Sequence, residues 1–333
     1  MKFLNLSILI CIFIQYCNCA DTFQARNGRL YDANGAEFLM RGVNSAHAWW
    51  DNYGRNYALD SIPFIANTGS NTVRIAWMHQ LNNIDQSHLE KVIQSVIANK
   101  MIAVVELHDA TCKQDPNELI KSANWFAQNI WLFNKYKKYV IINIANEWSP
   151  TSFEIWRDTY KQAISIIRNT GTNIALMIDA SDCGQNPDGI IKYGQELVQS
   201  DPQKNLIFSV HMYGMWISYY NIGAKLWDIQ QKGLTVIVGE FALKLDCKSP
   251  ATTVDAWEIM RQCRWKNIGY LGWSWHGNGK SSGCYTESDL NMVPGNAESA
   301  STWKQNNYTP WGQALVYYTN FGIKDTSVKA SVF

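Results

Sequence analysis

Two glutamates in this chain each close a short apolar run: Glu147 follows Val140 to Ala145 and Asn146, and Glu240 follows Thr235 to Val238 and Gly239. Runs of that length, apolar at successive positions, read as strands buried on both faces. A carboxylate at the end of such a strand is costly to bury unless it is hydrogen-bonded or kept protonated. Two of them in one mouth suit a reaction that needs one proton donor and one anion. Cleavage of a glycosidic bond is such a reaction: an acid protonates the leaving oxygen, and an anion attacks the anomeric carbon or activates water. The same pair could be a structural ion-pair element at a rim, but other runs end in the same style. They close on Val73-Arg74-Ile75, Glu106-Leu107-His108-Asp109, His211-Met212-Tyr213 and Trp273-Ser274-Trp275. Polar residues scattered at random would not gather at strand ends.

Eight such runs have to position these groups. They lie at Phe38 to Asn44, Thr72 to Trp77, Ile102 to Leu107, Val140 to Ala145, Ile174 to Ile178, Leu206 to Val210, Thr235 to Val238 and Gly269 to Trp273. Segments with helical spacing separate them, among them Asp85 to Asn99, Phe153 to Ile167 and Thr252 to Trp265. Eight alternations predict an α/β chain folded as a (β/α)8 TIM barrel, since an open doubly wound sheet usually stops at about five to seven strands. In such a barrel the chemistry sits at the C-terminal strand ends, and strands four and seven, which carry the glutamates, face each other. Asn27-Gly28 and Asn34-Gly35 read as hairpin turns, so a short β-hairpin is expected to plug the N-terminal end. Residues 21–333 read as one catalytic domain.

Residues 1–20 read as a signal peptide: Met1-Lys2 is a positive start, Phe3 to Ile14 is largely apolar, and Gln15 to Ala20 is a polar exit. The expectation is a secreted, extracellular protein. No later stretch reaches the roughly 18 apolar residues of a membrane span. The formal charge is +1, and Lys2 leaves with the signal, so neither nucleic acid nor a membrane surface is implied as partner. The 15 Trp and 16 Tyr stand against 17% charged residues. Rings with an apolar face and a polar edge suit clefts that hold sugars. Beyond the signal the cysteines are Cys112, Cys183, Cys247, Cys263 and Cys284. None forms a Cys-x-x-Cys pair, and no zinc or other metal or cofactor is expected.

Several segments go further. Arg41-Gly-Val-Asn-Ser-Ala-His-Ala-Trp49, Asn71-Thr-Val-Arg-Ile75, Glu106-Leu-His-Asp-Ala-Thr111, Ile141-Ile-Asn-Ile-Ala-Asn-Glu-Trp148, Asp201-Pro-Gln-Lys-Asn205 and Trp273-Ser-Trp-His-Gly-Asn-Gly279 resemble glycoside hydrolase family 5 of clan A. Within it they look like the bacterial-type endo-β-1,4-mannanases, from about Leu30 to Phe333. The resemblance implies Glu147 as general acid/base and Glu240 as nucleophile. It implies Asn146 on the sugar 2-OH, Arg74 beside Glu240, Tyr213 orienting the nucleophile, and His108 and His211 lining the reacting subsite. Trp273 would be the platform under the cleaved sugar. Trp275, on the same strand face by period two, is a further candidate, as is Trp49 after the first strand.

Cys112, Cys183, Cys247 and Cys284 fall in loops after strands three, five, seven and eight, where the chain departs from the bacterial pattern. Cys112–Cys183 and Cys247–Cys284 are the expected pairs, with Cys263 left buried on its helix. The resemblance thus implies a secreted, metal-free, retaining enzyme, acting as a monomer on β-mannan polysaccharide: mannan, glucomannan or galactomannan. A β-1,4-glucanase on the same scaffold is the alternative. A non-catalytic polysaccharide-binding barrel is a third, although it would typically have lost one carboxylate.

Overall fold

The computed structural model describes residues 21–46, 57–79, 86–217, 221–243, 254–276, 290–294 and 307–333. Two short strands, β1 (Gln24–Arg26) and β2 (Arg29–Tyr31), form an antiparallel hairpin. Asn27 and Gly28 turn it with φ of 51° and 72°, the left-handed pair such a tight turn requires. Eight parallel strands then close a barrel: β3 (Arg41–Ser45), β4 (Thr72–Trp77), β5 (Ile102–Leu107), β6 (Val140–Asn143), β7 (Leu176–Asp179), β8 (Leu206–Met212), β9 (Thr235–Phe241) and β10 (Gly269–Gly272). They pair in sequence order, and β10 pairs with β3 to shut the ring. The expected (β/α)8 barrel with its N-terminal hairpin is therefore what the chain forms.

Alternation along each strand divides the core into two shells. Outward residues such as Val73, Ile75, Ala103, Val105, Ile142, Leu176 and Ile178 pack against the ring of helices. Inward residues Ile102, Val104, Ile141, Met177, Ile207, Ile237 and Leu271 join Phe23, Leu30 and Phe38 in a separate cluster inside the barrel. The hairpin is thus the lower wall of the interior. Asn205 fixes it there: its Oδ1 accepts from Ala25 N–H at 2.8 Å, and its Nδ2 donates to the Phe23 and Asn173 carbonyls at 2.8 and 3.2 Å.

The helices start where local chemistry allows. Ser152 accepts from Ile155 N–H at the head of the helix Phe153–Arg168, and Asp115 caps Pro116–Gln128, with proline in the first turn where its missing N–H costs nothing. The tryptophans are distributed differently from the compositional expectation of a sugar cleft. Trp148, Trp156, Trp216, Trp275 and Trp311 are buried, and Trp131, Trp227 and Trp265 are more than half exposed on outer helices. Their number reflects packing between strands and helices as much as any cleft.

Candidate active site

Above the apolar interior cluster, the next inward residues along the strands are polar: Asn44 on β3, Arg74 on β4, Glu106 on β5, Asn143 on β6 and Asp179 on β7, all buried. Arg74 is the hub. Its Nε donates to Asn143 Oδ1 at 2.9 Å, and one amino group donates to Asn44 Oδ1 at 3.0 Å and Glu240 Oε1 at 2.7 Å. The other donates to Asn146 Oδ1 at 2.7 Å and Asp179 Oδ2 at 3.5 Å. Those are all the hydrogens a guanidinium can give, so its plane is locked. Burial disfavours its charge, but Glu106, Glu240, Asp179 and Glu147 around it outweigh that and hold it above its already high ordinary value.

Glu240 owes its position to an irregularity. On β9, Val236 and Val238 point to the helices and Ile237 inward, so strict alternation would turn Glu240 outward. A register shift against β8 at Val210/His211 pairs His211 with Glu240 and turns the carboxylate into the mouth. Gly239 permits this, since a Cβ there would lie 2.1 Å from Ser209 Oγ. Arg74 holds one carboxylate oxygen and Tyr213 O–H donates to the other at 3.0 Å. Burial and the neighbouring Glu147 push the Glu240 carboxyl up, against the pull of His211 and Arg74.

Glu147 sits just past β6 with φ of +49°. Its N–H donates to Asp179 Oδ2 at 3.1 Å, its carbonyl accepts from Cys112 N–H at 2.9 Å, and its Oε1 meets His211 Nδ1 at 2.7 Å. One oxygen of each glutamate and a ring nitrogen of His211 all lie within 4.8 Å of one another. Burial disfavours the His211 cation, but Glu240, Asp179 and Glu147 prevail and push its pKa up to about 9. These three residues could converge on a cation, yet His211 Nδ1 is taken by Glu147 Oε1, and the two Glu240 oxygens by Arg74 and Tyr213. Such an arrangement is built to move protons and to stabilise one buried anion.

Residues 31–279 match the family model described as Cellulase (glycosyl hydrolase family 5). The chain belongs to glycosyl hydrolase family 5. It is 34% identical to a mannan endo-1,4-beta-mannosidase of Salipaludibacillus agaradhaerens over 93% of this chain and 96% of that one. It is 35% identical to a mannan endo-1,4-beta-mannosidase of Streptomyces lividans over 92% of this chain and 76% of that one. Among solved structures, the beta-mannanase of Streptomyces thermolilacinus with mannohexaose superposes with a TM-score of 0.79 at 28% identity, covering 93% of this chain and 98% of that one.

The residues that led to the family in sequence come together with few exceptions. His108 follows β5, three strands round from His211 on β8, and is bonded through Nδ1 to Glu106 at 2.8 Å, with its ring stacked 5.7 Å from that of Trp273. Burial lowers its proton affinity, but Glu106 and Glu240 together outweigh that and raise it. Asn146 gives Nδ2 to Thr111 Oγ1 at 2.9 Å, leaving one amide hydrogen uncommitted among the described residues. Trp275 is 1% exposed with its ring edge toward Tyr308, so Trp273 rather than Trp275 is the ring beside His108. Trp49 lies outside the described residues, as do residues 1–20 and the expected Cys247–Cys284 pair. Cys112–Cys183 forms as expected and Cys263 is free and buried. Four residues around Arg74, namely Asn44, Glu106, Asn143 and Asp179, are not among the sequence candidates. The signal they carried was a lone polar residue at an inward position of an apolar strand.

Proposed function

We propose that this chain is a secreted endo-β-1,4-mannanase that cleaves internal bonds of mannan, glucomannan or galactomannan with retention. The observation that carries the mechanism is that one oxygen of Glu147 and one of Glu240 lie within 4.8 Å of each other, which suits the roughly 5–5.5 Å separation of the two carboxyl groups in retaining enzymes better than the roughly 6.5–9.5 Å that leaves room for an inverting water. The names of the relatives support the substrate.

In the first step Glu240, held by Arg74 and Tyr213, attacks the anomeric carbon while Glu147 protonates the departing oxygen. The bond to the leaving sugar breaks and a glycosyl ester forms on Glu240. Glu147, now an anion, then takes a proton from water, whose oxygen attacks the same carbon and releases Glu240. The second Asn146 amide hydrogen would serve the sugar 2-OH, and Trp273, stacked against His108, would offer the sugar an apolar face.

Reducing-end release from locust-bean gum and ivory-nut mannan, beside carboxymethyl-cellulose, tests the substrate. Equal or greater activity on the cellulose derivative would replace mannanase by β-1,4-glucanase. The anomer of the first product, followed by NMR, tests retention; net inversion would remove the nucleophile role from Glu240. Secretion is supported by the signal-like residues 1–20 and by Cys112–Cys183, which suits an oxidising compartment. Mass spectrometry of exported protein should find the chain starting near Asp21. Light scattering should give the mass of a monomer.

A further inference from the structure

Glu147 is held in a backbone conformation that a non-glycine residue seldom adopts, and the groups holding it form a closed circuit. Its carbonyl accepts from Cys112 N–H at 2.9 Å. Cys112, with φ of +55°, is bonded through sulfur to Cys183, with φ of +52°, from a loop 71 residues on. The residue after Cys183 is Gly184, whose carbonyl accepts from His211 N–H at 2.8 Å. Gly184 also packs so closely on the His211 ring that a Cβ would lie 2.7 Å from Cγ. His211 Nδ1 completes the circuit at 2.7 Å from Glu147 Oε1. The disulfide therefore ties the peptide that holds the acid/base backbone to the turn that sets the imidazole on its carboxylate. Glu240 takes its hydrogen bonds from Arg74 and Tyr213, on β4 and just past β8, and meets the circuit only at His211 Nδ1, 3.6 Å from its Oε2.

We infer that Cys112–Cys183 positions the acid/base Glu147, through its backbone and through His211, and that it bears far less on the nucleophile Glu240, whose hydrogen bonds come from Arg74 and Tyr213. This rests on the reading of Glu147 and Glu240 as a retaining pair. A disulfide that merely constrained the unfolded chain would lower the melting temperature and treat both catalytic steps alike. A positioning disulfide makes a different prediction, because the two residues act in separable steps.

The test uses the full mature chain with Cys112→Ser/Cys183→Ser, assayed at 20 °C where circular dichroism shows it folded. On mannan, kcat is expected to fall roughly ten- to hundredfold with KM changed less than about twofold, as expected of a misplaced catalytic group. The pre-steady-state burst from 2,4-dinitrophenyl β-mannobioside, whose leaving group needs no acid, should stay within about twofold of the wild-type rate. Cys183→Ser alone, which opens the same bond but keeps Cys112 and leaves Gly184 and His211 unaltered, serves as a second variant and should give the same pattern. Burst rate and mannan turnover falling together in both variants would overturn the inference, as would unchanged kinetics with only a lower melting temperature. A wild-type enzyme that releases nothing from mannan, or shows no burst, would instead fail the proposed function.

Discussion

Two buried arginines in this barrel have opposite surroundings. Arg168, at the end of the helix Phe153–Arg168, makes a two-point contact with Asp201 at 2.8 and 3.0 Å and gives its remaining bonds to the Thr172 and Ile174 carbonyls. Asp201 in turn accepts from the Gln203 and Asn205 N–H groups, and Asn205 holds the hairpin. One cation meets one anion, every partner is satisfied, and the network seals the N-terminal end of the barrel. Arg74, at the other end, serves Glu240 while Glu106 and Asp179 lie 3.6 and 3.5 Å away. Carboxylates outnumber it, and His108 and His211 are drawn to their cationic forms in response. Balanced charge makes structure. An excess of buried anions, held only by a shared proton population, makes a site that can change protonation during a reaction.

That contrast can be broken by substitution. Glu240→Ala should show the largest effect, a loss of about 10⁴-fold or more in mannan hydrolysis with melting temperature unchanged or raised, because one buried anion has been removed. Reducing-end assay and calorimetry on the same sample check both halves. Arg74→Met should lose activity and about 3–5 kcal/mol of stability together, since it leaves several carboxylates uncompensated. Arg168→Met should lose a similar amount of stability by urea titration while keeping kcat within about twofold at 20 °C. If Arg168→Met instead cost activity as Arg74→Met does, the two ends of the barrel would be coupled and the contrast would fail.

The smallest expected effect is in the pH dependence. His211 binds its proton more tightly folded, at about 9, than the roughly 6.5 of an unfolded histidine. Its contribution is therefore fully present below pH ~6.5 and is lost as pH rises toward 9, at most a few kcal/mol. Melting temperature measured from pH 6 to 10 should decline across that window, and His211→Gln should flatten the decline. A decline of equal slope in the variant would place the titrating group elsewhere.

Much of this molecule is written in local pattern. Apolar runs at successive positions marked the barrel strands, and each polar residue just past a run, Glu147 and Glu240 above all, marked the mouth, because a strand end in this architecture can lie only there. Asn27-Gly28 marked the hairpin because few other residues accept that turn. Asp201 and Asn205 stood out as part of a segment resembling the family, but their structural task was illegible, since the carbonyls and N–H groups they bind come from the hairpin and from other loops. Tertiary structure alone brought Asn44, Glu106, Asn143 and Asp179 around Arg74, joining strands as much as 105 residues apart. It also turned Glu240 inward against its own strand period, buried Trp275, and drew a disulfide circuit about Glu147. Alternation in a sequence assigns a residue to one of two faces. How far apart two inward groups stand, and which of them share a proton, depends on barrel closure and strand register, which no single strand contains.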